Sequence, residues 1–201
     1  MCNQFQLPNL AEIKKYLVND LNLPLVEPAS NLPQNQNIFP KGLAPVLVYA
    51  DSQLQLLPKS WGYPSPYDQN KVIFNARIER FFEEKRSMWD SSFAKSRCII
   101  VASQFFESGH NTYSAENGHT YHERFSFKNT KGALTLIAGI YQKDHFSMVT
   151  TQPNKTYAEI HNRMPLVLQA AELRQWLFQN FSSLVDRSQL SLDSVKLPPK
   201  K

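Results

Sequence analysis

Cysteine is scarce in this chain: only Cys2 and Cys98 occur among 201 residues. Two thiols cannot build a disulfide framework or a cysteine-rich metal site. Nor does any stretch approach the roughly 18 uncharged apolar residues of a membrane span, and the opening residues lack a basic start followed by an apolar run. A membrane partner is therefore not expected, and the chain reads as a cytoplasmic protein. The phosphate-cradling GxxxxGK[ST] loop, the dinucleotide fingerprint, GxSxG and HExxH are all missing, which removes the commonest enzyme classes and any expectation of a small-molecule cofactor. His119 and His122 in "HTYH" suggest a metal pair, but on a strand they point to opposite faces and no partner cluster follows, so no metal site is expected. No internal repeat, heptad or low-complexity block is found.

Lys plus Arg outnumber Asp plus Glu by 22 to 17, a surplus that favours an anionic partner without specifying one. The length suits a single domain. Asn9 followed by "LAEIKKYLVNDL" predicts a capped amphipathic helix burying Leu10, Ile13, Leu17 and Leu21. "AAELRQWLFQN" predicts a second helix, with Leu173, Trp176 and Leu177 on one face. Between them the period is two: "APVLVYA", "LQLLP", "KVIFNARIE", "SRCIIVASQFFE", "YHERFSF", "ALTLIAGIY" and "FSMVTT" read as strands. Strands without regularly interleaved helices imply a largely antiparallel α+β fold. Val26 to Pro40 is expected to be irregular, and "KLPPKK" and the residues just before it, 191–201, to form a flexible tail behind a domain spanning 2–190.

Cys98, in "RCIIVA", is expected to be a buried, inert thiol. Cys2 is different: freed of Met1 it would carry an amine and a thiol two carbons apart, an aldehyde trap, although a frayed terminus would carry the same residue. In "KVIFNARIE" one face (Val72, Phe74, Ala76, Ile78) should be core, leaving Asn75, Arg77 and Glu79 on the other, either as plain solvent face or as donors for a sugar and a phosphate. Glu107 should end an apolar strand behind Phe105 and Phe106, where partial burial would raise its pKa and suit it to acid or base work. In "TYAEIHNRMP" Thr156 and Glu159 have capping-box spacing, so a short helix should start at Thr156 and leave His161 near its C-terminal end, where the dipole favours an imidazolium. A histidine merely capping that helix would look the same.

In order, "MC" at the start, "WG" at Trp61, "NAR" at Asn75, "RCIIVASQFFE" up to Glu107, "AGIY" at Gly139 and "IHNRMPLVL" from Ile160 resemble the SRAP family, the SOS-response-associated peptidase domain of abasic-site processing proteins. The resemblance runs from the first residue to beyond Leu168. It implies a single α+β domain with a barrel-like, largely antiparallel core flanked by a few helices. It implies catalytic roles for Cys2, Asn75, Glu107 and His161, DNA contacts at Arg77, Trp61 and Arg163, and a monomer associated with DNA. The implied activity is covalent capture of abasic sites in single-stranded DNA through a thiazolidine at Cys2, with associated lyase and autoproteolytic character. The family's "MCGRF" stands here as "MCNQF" and its "FYEW" as "FFES", and the second tryptophan after "WG" is absent, so Asn3, Gln4 and Ser108 mark departures beside the site. Two other readings remain: an N-terminal-nucleophile cysteine peptidase, and a single-stranded nucleic-acid module without chemistry.

Overall fold

The computed structural model describes residues 1–199. The chain opens on strand β1 (Gln4–Gln6) and helix α1 (Leu10–Lys14), which runs on as a π-helical stretch over Lys15–Asp20. Asn9 caps α1, its side-chain oxygen accepting from the Glu12 N–H while the Glu12 carboxylate accepts from the Asn9 N–H, so two otherwise orphaned donors are satisfied. Then follow β2 (Asn37–Ile38), β3 (Leu43–Ala50), β4 (Gln53–Trp61), β5 (Tyr63–Pro64), β6 (Val72–Ile73) and β7 (Asn75–Arg77). A 3-10 turn leads to α2 (Asp90–Lys95) and to the long strands β8 (Arg97–Ala102), β9 (Gln104–Ser114), β10 (Thr120–Asn129), β11 (Thr135–Gln142) and β12 (His145–Thr151). Helix α3 (Lys155–Ala158), the short strands β13 (Met164–Pro165) and β14 (Val167–Leu168), helix α4 (Leu173–Phe178) and β15 (Leu192–Lys196) complete the order. No helix among the described residues is long and apolar enough to cross a membrane.

One sheet closes on itself. β12 bonds β4, β4 bonds β3, β3 bonds β8, β8 bonds β11, and β11 returns to β12, so the expected barrel-like core is a ring. Closure leaves no open edge in the ring itself. Its wall is apolar on both faces because alternate residues of each strand enter different cores. Leu47, Ile99, Val101, Ala138 and Val149 pack with Ile13, Phe93 and Trp176 from the helical segments. Val46, Val48, Cys98, Ile100 and Met148 pack with Cys2, Phe5 and Leu7 from the start of the chain. A second, antiparallel sheet runs β15-β10-β9-β1-β2.

The segment "RCIIVASQFFE" serves both sheets. It is not one strand as expected: it bends at Ser103, whose N–H donates to the Gln6 carbonyl (2.9 Å), and passes from the ring into the second sheet. Glu107 therefore lies inside β9 rather than at a strand end. "KVIFNARIE" is likewise broken, because β6 pairs with β5 while β7 pairs in parallel with β12, and Asn75 is buried instead of facing solvent. The N-cap of α3 is Asn154, which accepts from the Tyr157 N–H (2.8 Å), and not Thr156. At the other end, 192–196 is no loose tail: β15 pairs with β10 from Leu192 to Lys196, and Lys196 donates to Glu123 (2.6 Å). Lys200 and Lys201 of the expected tail lie outside the described residues.

"WG" also has a packing role. Trp61 is fully buried, edge-on to Phe5 (5.0 Å) and parallel to Phe146 (6.3 Å), and Gly62 follows at φ +117° with its N–H on the Phe146 carbonyl (2.7 Å). A Cβ there would meet Val72 at 2.7 Å, so only glycine fits this turn. Phe5, completely buried against this pair, ties β1 to the ring. Phe5→Ala is expected to cost about 3–5 kcal/mol in a urea titration.

Candidate active site

β1 sets the position of the chain's first residues. Gln4 pairs with Phe106 and Phe5 with Phe105, and extending this antiparallel register outward lays Asn3 and Cys2 beside Glu107 and Ser108. A second tie comes from β7, where Asn75 Nδ2 donates to the Cys2 carbonyl (2.8 Å). The carbonyl fixes which way this amide points, and its Oδ1 is left buried with no partner. Cys2 is 1% exposed and its thiol donates to the Gln4 carbonyl (3.4 Å). Burial first, and then the charge of Glu107, push the thiol pKa up to about 12.

Glu107 gathers the remaining groups. Its Oε1 accepts from the Ser108 N–H (3.1 Å) and lies 3.3 Å from the Met1 ammonium and 3.9 Å from His161 Nε2. Its Oε2 accepts from the buried Tyr157 hydroxyl (3.4 Å). Burial, with the neighbouring carboxylate, raises the Tyr157 phenol well above its usual range, so it stays a donor. Tyr157 is absent from the sequence-based set. The only signal for it is its place four residues before His161, whose N–H bonds its carbonyl (2.9 Å) across the α3 turn.

His161 Nε2 lies 2.6 Å from the Met1 ammonium. Its Nδ1 is flanked by the N–H (3.1 Å) and the carbonyl (3.2 Å) of Arg163, so either tautomer finds a partner. With the proton on Nδ1, Nε2 is an acceptor for the amine. Partial burial lowers the imidazole pKa; Glu107 pulls it up, while the ammonium and His110 push it down. This corrects the expectation of a dipole-stabilised imidazolium: α3 spans only Lys155–Ala158 and His161 lies beyond it. Met1, Glu107 and His161 line a cavity of about 400 Å³ together with Asn3, Ser108, Gly109, His110, His122 and Asn162. A larger apolar groove of about 940 Å³ between β3, β4 and α4 contains none of the acid, base or thiol groups above.

The structure thus brings Cys2, Asn75, Glu107 and His161 together from four separate segments. Arg77 is exposed at the end of β7, two residues from Asn75. Two expected DNA contacts do not reach the surface. Trp61 is fully buried and its Nε1–H donates to the Phe74 carbonyl (2.8 Å), so its ring cannot stack on a base. Arg163 is buried too, its guanidinium held by both Glu79 oxygens (2.8 Å each) and the Thr150 carbonyl (2.9 Å). Sequence alone gave no sign of this ion pair, since its partners are far apart in the chain.

A family model described as "SOS response associated peptidase (SRAP)" matches residues 1–196. Among curated proteins, the abasic site processing protein YoaM of Bacillus subtilis is 27% identical over 75% of this chain and 66% of its own length. YoqW, an abasic site processing protein of the same organism, is 26% identical over 88% of this chain and 80% of its own. Among solved structures, a protein from Bacteroides thetaiotaomicron superposes with a TM-score of 0.71 at 19% identity, covering 98% of this chain and 92% of the other, which is likeness of fold.

Arg163 is expected to act on stability. Burial opposes the Glu79 charge, but the Arg163 hydrogen bonds and charge outweigh it and hold the carboxyl below its usual range. A depressed carboxylate contributes stability that is fully present above its unfolded pKa, near ~4.3, and is lost as pH falls through the folded value. Arg163→Ala should lower stability at neutral pH by about 2–3 kcal/mol in chemical denaturation and remove this part of the acid dependence below about pH 4.

Proposed function

The chain belongs to the SOS response associated peptidase family, and on that premise we propose that it captures abasic sites in single-stranded DNA, bonding covalently to the damaged sugar through Cys2 once Met1 is removed. One observation carries the reading most: the Met1 ammonium sits in the small cavity between Glu107 (3.3 Å) and His161 (2.6 Å), while Asn75 holds the Cys2 carbonyl (2.8 Å). Removing Met1 would leave the Cys2 amine beside an acid, a base and the space the methionine had filled. The unpartnered Asn75 Oδ1 is a ready acceptor for that amine.

The chemistry follows from these groups. An abasic deoxyribose is mostly a closed hemiacetal, and opening it moves the C1′ hydroxyl proton to a base and delivers a proton to the ring oxygen, work suited to Glu107 and His161. The terminal amine, of reference pKa near ~8, adds to the aldehyde. His161, kept from charging by burial, takes the proton released from the attacking nitrogen. It passes that proton to the alkoxide oxygen to give the carbinolamine, and relaying the second nitrogen proton to the same oxygen lets it leave as water to give a Schiff base. The Cys2 thiol adds across the C=N bond: sulfur bonds the carbon and its proton ends on nitrogen, closing a five-membered thiazolidine. The overall change is loss of one water. A thiol pushed up to about 12 is uncharged at neutral pH, so proton and sulfur must arrive together, and the nearby Glu107 carboxylate is the base that lies to hand. Asn75 orients the terminus, Tyr157 orients Glu107, and exposed Arg77 contacts a phosphate flanking the lesion.

A thiol pushed up by burial fits a cysteine peptidase less well, because such a nucleophile works from a depressed pKa. The test is a denaturing gel after incubating the Met1-free protein with intact, abasic and borohydride-reduced abasic strands. A shifted band is expected only with the unreduced abasic strand, and is lost in Cys2→Ala. A band that survives Cys2→Ala, or that forms with the intact strand, overturns the mechanism. Glu107→Gln should slow band formation about 100-fold, whereas Arg77→Ala should weaken binding to all strands and flatten its salt dependence, with little change in the rate at saturating strand.

A further inference from the structure

The pairing of β9 with β10 is irregular beside the site. Ser108 pairs with Arg124 and Thr112 with His122, so β9 takes four steps where β10 takes two. Glu107 and His110, three residues apart, would face opposite sides of a regular strand. The extra length instead turns both toward one cavity, the usual effect of a bulge that re-aims a side chain. There the His110 ring lies parallel to that of His161, at 9° between planes and 6.3 Å between centroids. His122, across the same cavity, is turned aside with Nδ1 on the Gly109 carbonyl (3.0 Å) and does not share in this pair.

We propose that His110 is a positioning residue of this site, whose parallel imidazole adds to the burial of the His161 ring in favouring the neutral form that can accept a proton from the attacking amine. The proposal rests on the abasic-site reading for what His161 does, and on geometry alone for what His110 does to it. Four groups face His161: the terminal amine at Nε2, Glu107 and His110 from β9, and the Arg163 backbone at Nδ1. Glu107 and the Arg163 backbone favour a charged His161, and against them stand first the burial of the ring and then the terminal ammonium and His110. The terminal amine does so only while protonated, and it loses that charge in the attacking form. His110 is on the rim, exposed to water, and is not consumed by the reaction. A proton on either ring of the pair opposes a proton on the other, so His110 adds to what keeps His161 from charging.

Two substitutions separate this role from packing. His110→Lys places a permanent charge near the position of the ring, and His110→Gln removes any charge. Both lie at an exposed position, so the fold is expected to survive. With histidine-labelled, Met1-free protein, the His161 ring is assigned by its loss in His161→Gln and titrated by NMR. The expected result is a midpoint lower by about half a pH unit in His110→Lys, the size of a unit charge at ~6 Å in a water-like dielectric, and a higher one in His110→Gln. The acidic limb of the crosslinking-rate profile should move in the same directions. Midpoints that stay in place, or move together, overturn the role of His110. Midpoints that move as expected in a protein that never crosslinks abasic strands would leave His110 as the tuner of His161 and remove the function proposed for the site.

Discussion

Everything in the site depends on holding a chain terminus still. Terminal residues normally fray, because few contacts repay the entropy of ordering them. Here the first six residues are fixed three ways: β1 pairs with β9 on one side and β2 on the other, Phe5 is buried against Trp61 and Phe146, and Asn75 binds the Cys2 carbonyl. Each tie comes from a different part of the fold. The ring supplies the aromatic seat, β7 reaches the terminus by pairing in parallel with β12, and the bend at Ser103 sends β9 out of the ring to meet β1. The two-sheet architecture thus places a normally mobile amine and thiol against a fixed carboxylate and imidazole.

The electrostatics are arranged around one buried carboxylate. Glu107 accepts from Ser108 and Tyr157, approaches His161 and the terminal ammonium, and raises the Cys2 thiol pKa. A buried charge is costly unless surrounded by donors, and here the donors are the Ser108 N–H, the Tyr157 hydroxyl and the terminal ammonium. The result is a site in which burial and this carboxylate keep the thiol and phenol protonated while burial lowers the histidine pKa, an arrangement that suits the proton transfers of the proposed function. The Met1 ammonium is lodged between this acid and base, and in the proposed function the Cys2 amine replaces it once Met1 is removed.

Much of this was legible in the sequence, but not evenly. The capped first helix, the antiparallel α+β character and the long hydrophobic strands follow from local period and turn chemistry. The four central residues were found through ordered short motifs; periodicity gave Asn75 a solvent-facing place that the structure refuses, because tertiary pairing to β12 breaks its strand. Trp61 and Arg163 illustrate the same limit. An aromatic ring and a guanidinium can bind nucleic acid or fill a core, and only the fold shows that these two are occupied, by Phe146 and by Glu79. Tyr157 and His110 went unnoticed because their places beside Glu107 and His161 depend on a short helical turn and on a strand irregularity, neither of which leaves a periodic trace. The strand at Leu192–Lys196 was hidden for a related reason: its residues are mostly exposed, and it is held by backbone pairing and one lysine–glutamate contact.

The central claim is that the aldehyde carbon ends bonded to both the nitrogen and the sulfur of Cys2. Protease digestion and mass mapping of the complex, formed by Met1-free protein on an abasic strand without any reductant, tests it directly. The account predicts the sugar remnant on the N-terminal peptide, at Cys2, with one water lost and neither a free amine nor a free thiol remaining. A remnant attached at a lysine, at Cys98, or to a chain that still carries Met1 would contradict it.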